Sequence, residues 1–243
     1  MPRKQRKLSI RCSIIPDYAG ELIKVEKTIH LLSSGLDSPV AAYLLVKAGI
    51  EPVFLFFDAN PYNTEKTKLT AIKLASKIAE YAKKPLTMFV APHGNTMKVM
   101  QNTWDESELK YSCIFCKRIY YRIAVTLAKQ LGAHAISTGE IISEQASQTI
   151  DNMALIQEAI GSFLVVRPLL TWNKVDVIAK AHEIGTYEIS NQAKDPCLLV
   201  PKYPITHGRL ERYKPIEEKL PIQNLMEKVM KNMEKIELKP DNY

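Results

Sequence analysis

No stretch of this chain is apolar for long enough to cross a bilayer; the longest runs, such as Pro52 to Phe57 and Phe163 to Val166, fall far short. The opening Met1-Pro-Arg-Lys-Gln-Arg-Lys lacks the apolar segment of a secretory signal, so a cytoplasmic location without a membrane partner is expected. Internal repeats and low-complexity tracts are missing. So are the two familiar glycine-built phosphate cradles, the Walker loop and the Rossmann turn. The five histidines, His30, His93, His134, His182 and His207, show no metal-ligand spacing among themselves and read as packing or surface; His93, just after a strand, is placed where it could border a site. There are only four cysteines, Cys12, Cys113, Cys116 and Cys197. A Cys-x-x-Cys with a distant third thiol in a cytosolic chain points to metal or redox chemistry before structural disulfides.

What is present is ordinary globular composition, 46% hydrophobic and 24% charged over 243 residues, enough for one large α/β core and a small appendage. The net charge of +7 suits a polyanionic partner such as RNA or a nucleotide, or a basic protein with no such partner. Residues 1–27 read as an N-terminal arm, 28–208 as the catalytic domain and 209–243 as a C-terminal helical tail. Within the domain, Lys27 to Leu32, Pro52 to Phe57 and Leu86 to Ala91 are expected strands alternating with helices at Pro39 to Ala48 and Glu65 to Ala82. A helix from about Cys116 to Leu131, strands at His134 to Ser137 and Phe163 to Val166, and a helix from Lys174 capped by Asn173 complete an expected doubly wound, mostly parallel α/β sheet. In the tail, Ile222, Leu225, Met226, Val229, Met230 and Met233 mark one apolar helix face for docking on the domain or a partner.

Between the first strand and its helix lies Ser33-Ser-Gly-Leu-Asp-Ser38. Such a turn aims backbone N–H groups and the positive end of a helix dipole at one point, where phosphate binds. Gly35 permits close approach, the serine hydroxyls can donate to phosphate oxygens, and Asp37 can brace the loop or help bind Mg²⁺. The plain alternative is a helix cap and nothing more.

The loop resembles the Ser-Gly-Gly-x-Asp-Ser sequence of the PP-loop ATP pyrophosphatases, with Ser34 in place of the second residue, and so implies an adenine nucleotide alpha hydrolase-like fold. Asp37-Ser-Pro-Val-Ala, Thr138-Gly-Glu140, Ser147-Gln-Thr149 with Asn152, and Arg167-Pro-Leu169 with Lys174 are similar to the 4-thiouridine synthetase branch, the thiamine-linked tRNA sulfurtransferases, over about residues 28 to 206. The resemblance implies ATP contacts at Leu31, Leu32, Ser33, Ser34, Gly35, Leu36, Asp37, Ser38, Phe56, Phe57, Lys117, Gly139 and Gln148. Phe56 and Phe57 could flank adenine, though such strand residues are more often core alone; Lys117 and Arg118 read as groups reaching triphosphate or tRNA or as solvated surface, and Glu140 as either a catalytic or a helix-start carboxylate.

Bacterial members pair a cysteine corresponding to Cys197 with one on a fused rhodanese domain, for which the chain is expected to be too short. The three thiols of Cys113, Cys116 and Cys197 resemble those of archaeal synthetases that would hold a [4Fe–4S] cluster with one open iron. A Cys113–Cys116 disulfide with a persulfide on Cys197, a Zn²⁺ site completed by His134 or His207, or inert thiols are the alternatives; Cys12 reads as structural. The implied reaction is ATP-dependent thiolation of a tRNA uridine, with a sulfur donor as co-substrate. The roughly 27 residues before the first strand are expected to be too few for a THUMP domain. A separate THUMP-type protein or a homodimer partner would deliver the RNA, or the substrate is another nucleotide or small molecule. A PP-loop enzyme that amidates, or a nucleotide- or metal-binding module without turnover, are the rivals.

Overall fold

A computed structural model describes residues 14–16, 22–192 and 196–240; Cys12, the basic run Arg3 to Lys7 and Asp195 lie outside them. Two short strands, β1 (Ile14–Pro16) and β2 (Leu22–Lys24), pair antiparallel. Then β3 (Lys27–Leu32), α1 (Asp37–Lys47), β4 (Glu51–Asp58), α2 (Glu65–Ala82) and β5 (Leu86–Pro92) wind one half of the main sheet. After α3 (Gly94–Thr103) and α4 (Ser112–Gln130) come β6 (Ala135–Ser137), α5 (Ile150–Glu158), β7 (Leu164–Val166), α6 (Lys174–Glu183) and α7 (Tyr187–Asn191). The last elements are α8 (Leu210–Glu217), α9 (Ile222–Lys231) and β8 (Glu234–Leu238).

The main sheet runs β7-β6-β3-β4-β5-β8, parallel throughout except for β8, which pairs antiparallel with β5. This is the doubly wound, mostly parallel architecture. The chain leaves β3 toward β4 on one side and returns to β6 on the other, so a crevice opens above the C-terminal ends of β3 and β6, where ligands bind in such sheets. Central strands are buried on both faces: β4 has Val53 through Phe57 in the interior, a continuous apolar run where a half-exposed strand would alternate.

Several elements depart from the sequence reading. The helix expected from Cys116 starts four residues earlier, so both cysteines of Cys-x-x-Cys sit on the first turn of α4. Helix α1 starts at Asp37, with Pro39 inside its first turn, where the missing N–H costs nothing. Residues 209–243 are not only helical: Glu234-Lys-Ile-Glu-Leu238 closes the sheet edge, and α9 lays Leu225 and Val229 into the core beneath α4. The apolar face of α9 therefore docks on this chain's own domain. Among the described residues no helix is long and apolar enough to cross a membrane.

Candidate active site

The loop after β3 closes on itself. The Ser33 N–H donates to Ser38 Oγ (2.9 Å), the two hydroxyls meet at 3.0 Å, and Gly35 N–H reaches Ser33 Oγ at 3.3 Å. Ser190 on α7 holds the Gly35 carbonyl (3.2 Å). Two of the hydroxyls expected to face phosphate thus also shape the loop, leaving backbone N–H groups at the start of α1 to face the crevice. Beneath them, His30 Nε2 lies 2.9 Å from the Ser38 carbonyl, which only a donor can satisfy, so Nδ1 accepts from Ser137 Oγ (3.0 Å), itself 2.9 Å from Thr28 Oγ1. The sequence marked His30 as packing; it is a buried strut joining β3, β6 and the loop.

Burial lowers the His30 pKa from 6.5 to about 4, against the opposing hydrogen bond to Ser38, and burial lowers that of His93 to about 3. An unfolded histidine takes up a proton below about pH 6.5 and these folded ones do not until far lower. Their contribution is thus full above pH 6.5 and lost as pH falls toward 4, roughly 3 kcal/mol for His30. Urea midpoints measured from pH 7.5 down to 4.5 should fall steeply, and His30→Gln should flatten that slope.

Across the crevice, Thr138-Gly-Glu140 follows β6. A Cβ on Gly139 would lie 2.6 Å from Ser38 N and Cα, so the two loops touch backbone to backbone. Gly139→Ala should force them apart at a cost of about 1–3 kcal/mol and blunt stabilisation by ATP, read as the nucleotide-dependent shift in melting temperature.

Glu140 is 4% exposed and fully engaged. Its carboxylate takes Lys117 Nζ (3.0 Å), Arg167 Nε (2.9 Å), Tyr121 OH (2.7 Å) and Thr138 Oγ1 (3.2 Å). Burial alone would raise its pKa, but Lys117 and Arg167 prevail and hold it down at about 2. A carboxylate so encased is not a free base; it fixes Lys117 at the cavity wall. Arg118, expected to reach phosphate or RNA, points away, into Glu217 (Nε–Oε1 3.0 Å), Glu158 and the Leu155 carbonyl, with Arg122 also on Glu217. Asp37 is paired to Lys174 (2.7 Å), which also meets Glu144 (3.1 Å).

The loop residues, Lys117, Tyr121, Thr138, Gly139 and Glu140 border one cavity of about 480 Å³. Of the residues expected to contact ATP, all line it except Leu36, which faces a smaller hollow beside Asp37 and Lys174. Phe56 and Phe57 pack in the core and also line the cavity, with Phe57 stacked on Tyr120 at 3.9 Å.

Cys113, Cys116 and Cys197 line the same cavity. Burial pushes the Cys113 and Cys116 thiols upward, and each is raised further by the neighbouring sulfurs; Lys117 offsets this only in part at Cys113. Cys116 Sγ also lies 3.3 Å from His93 Nε2, which puts His93 behind Cys116, outside the residues that line the cavity. Three soft donors on one wall fit a thiophilic metal or cluster by chemistry, since binding would deprotonate them outright. Among the described residues, no three His, Cys, Asp or Glu side chains are already grouped to hold a metal ion.

The Ser147-Gln-Thr149…Asn152 block has a mechanical role that its sequence did not disclose. Asn152 Nδ2 donates to the Ala146 (2.6 Å) and Ile205 (2.8 Å) carbonyls, its Oδ1 accepts from Gly208 N–H (2.8 Å), and Thr149 Oγ1 donates to the Thr206 carbonyl (2.6 Å). The block clamps the segment following Cys197. Gln148 lines the cavity while its Oε1 braces the Ile141 N–H (3.4 Å).

The profile of the family described as thiamine biosynthesis protein (ThiI) matches residues 24–222, more than half of the chain. The chain belongs to the ThiI family. Two curated relatives, each called a probable tRNA sulfurtransferase, are similar to it: one from Moorella thermoacetica, 35% identical over 94% of this chain and 58% of the relative, and one from Halothermothrix orenii, 36% identical over 88% and 54%. A solved 4-thiouridine synthetase, in complex with RNA and bound ATP, superposes with a TM-score of 0.82 at 30% identity, covering 90% of this chain and 57% of that one. The chain thus spans just over half the length of these ThiI-family relatives, and the part shared is the sheet with its crevice.

Proposed function

We propose that this chain activates a tRNA uridine with ATP and replaces its O4 with sulfur. The observation that carries the reading is that three thiols and a phosphate loop share one cavity. Family membership, and relatives whose names specify tRNA sulfurtransferase and a complex with RNA and ATP, support the same reading.

In the proposed first step, uridine O4 attacks the α-phosphorus of ATP, the bond to the β-phosphate oxygen breaks, and pyrophosphate leaves. The backbone N–H groups of the Ser33–Ser38 loop would hold the pyrophosphate, and Lys117, fixed by Glu140, would offset the growing negative charge. Mg²⁺ at Asp37 would assist once the carboxylate exchanges Lys174 for the ion. In the second step a hydrosulfide attacks C4, and O4 departs with AMP; converting oxygen into a phosphate ester makes it able to leave. The net change is uridine, ATP and hydrosulfide to 4-thiouridine, AMP and pyrophosphate.

Cys113, Cys116 and Cys197 would hold an iron–sulfur cluster, which would supply a nucleophilic sulfur beside the activated base. The second route is a persulfide on Cys197. Its outer sulfur attacks C4 and expels AMP, and a thiol at Cys113 or Cys116 then cleaves the S–S bond, leaving a protein disulfide for an external thiol to reduce.

The test is to purify the chain without oxygen, assay iron and sulfide, and incubate it with ATP, sulfide and tRNA. Pyrophosphate release that depends on RNA, with oxygen-to-sulfur exchange in one nucleoside by mass spectrometry, is expected. ATP binding with neither would sink the reading in favour of a module without turnover.

A further inference from the structure

One wall of the cavity carries two polar side-chain atoms with nothing to bond. Asn63 Oδ1 and Thr67 Oγ1 are shut off from solvent and have no hydrogen-bond partner, and both residues line the cavity. The loop that bears Asn63 is otherwise fully tied. Tyr62 N–H donates to the Ala59 carbonyl (2.7 Å), Asn60 N–H to Asp58 Oδ1 (3.1 Å) and Tyr62 OH to Gln101 Oε1 (3.0 Å). Thr67 sits in the first turn of α2, its N–H bonded to the Thr64 carbonyl at 2.9 Å. Two polar atoms held in place and left unsatisfied reduce stability in the empty protein, which a valine at position 67 would avoid. Native chains tolerate such orphans where a ligand completes them.

The surroundings indicate what kind of ligand. Phe56 and Phe57, at the end of the strand that leads into this loop, give the same cavity flat apolar surface. Apolar walls with an acceptor and a hydroxyl at the side suit a planar ring with hydrogen-bonding groups on its rim. Moreover, Leu198 N–H donates to the Tyr62 carbonyl (2.9 Å), so this loop is joined to the segment that carries Cys197.

We propose that Asn63 and Thr67 read the edge of a nucleobase, the Asn63 carbonyl accepting a base N–H and the Thr67 hydroxyl pairing with the adjacent ring nitrogen or carbonyl oxygen. The proposal rests on the cavity being a site for ATP and an RNA base. Of the bases that the proposed reaction brings to the cavity, adenine presents such an edge through its 6-amino group and N1, and uracil through N3–H and a carbonyl oxygen. In either case the pair selects by ring chemistry, which phosphate contacts cannot do.

The test uses the full chain with Thr67→Val, which keeps shape and removes the hydroxyl, Asn63→Leu, and Thr67→Ser as the variant that keeps the hydroxyl. Calorimetry with ATP is one arm; the KM for tRNA in thiolation is the other. If adenine is read, Thr67→Val and Asn63→Leu each weaken ATP binding about tenfold, and Thr67→Ser binds like the parent. If the target base is read, ATP binding is unmoved and the tRNA KM rises about tenfold with kcat retained. In both cases Thr67→Val melts no lower than the parent without ligand. Unchanged ATP binding together with unchanged tRNA KM overturns the inference, and so does a loss that Thr67→Ser shares or that accompanies a lowered ligand-free melting temperature. A parent that binds ATP but thiolates no RNA sinks the proposed function alone, and the inference then stands or falls on the ATP arm.

Discussion

Cys197→Ser should leave ATP binding as it is and reduce sulfur transfer to tRNA about a thousandfold or more, the scale seen when a reacting side chain is removed. Cys197 reaches the cavity from a segment outside the phosphate loop, so its loss leaves the Ser33–Ser38 bonds and the Gly139 contact intact. What disappears is a sulfur ligand or carrier, in either of the two routes. The companion variants separate those routes. If a cluster is used, Cys113→Ser and Cys116→Ser should abolish transfer as completely as Cys197→Ser and remove iron. In a persulfide route each should retain a share of activity, because one of the two resolving thiols remains. Isothermal titration with ATP and thionucleoside mass spectrometry on the same preparations would decide between them.

Glu140→Ala should cost about 3 kcal/mol of stability. The alanine would leave Lys117 and Arg167 facing each other without their shared counter-charge, and would strip partners from Tyr121 and Thr138. That figure sits at the low end of the range for broken buried pairs because the Lys117 and Arg167 side chains keep 22% and 15% of their exposure. Glu140→Gln keeps the shape and removes the charge, so it should lose less stability while still releasing Lys117. Thermal melts with and without ATP check both points. Equal ATP-dependent shifts in the parent and in Glu140→Gln would show that Lys117 needs no positioning.

The phosphate loop was legible because its signal is local: six successive residues between an apolar strand and an amphipathic helix make both the shape and the chemistry. Gly139 and Gln148 were legible only through likeness to a family, since neither carries a local pattern. The Glu140 cluster was not legible. Lys117, Tyr121, Glu140 and Arg167 come from three separate segments, and their grouping exists only once β6 and β7 lie side by side and α4 crosses them. Arg118 misled for the same reason: next to Lys117 in sequence, it is one helical step around α4 and so faces α8. Edge strand β8 was missed because Glu-Lys-Ile-Glu-Leu is half charged, a composition that suits an exposed edge and hides it from any search for apolar runs.

The tie between Arg118 and Glu217 spans 99 positions of sequence. A chain emerging from the ribosome therefore exposes the helix bearing Cys113 and Cys116 long before the glutamate that neutralises Arg118 and Arg122 has been made. Until then Arg122 lacks its carboxylate and Arg118 has only the half-exposed Glu158, so the burial of that face is incompletely compensated, which opposes its seating on the sheet. The wall that bears Cys113 and Cys116 is therefore fully compensated only after α8 has been made.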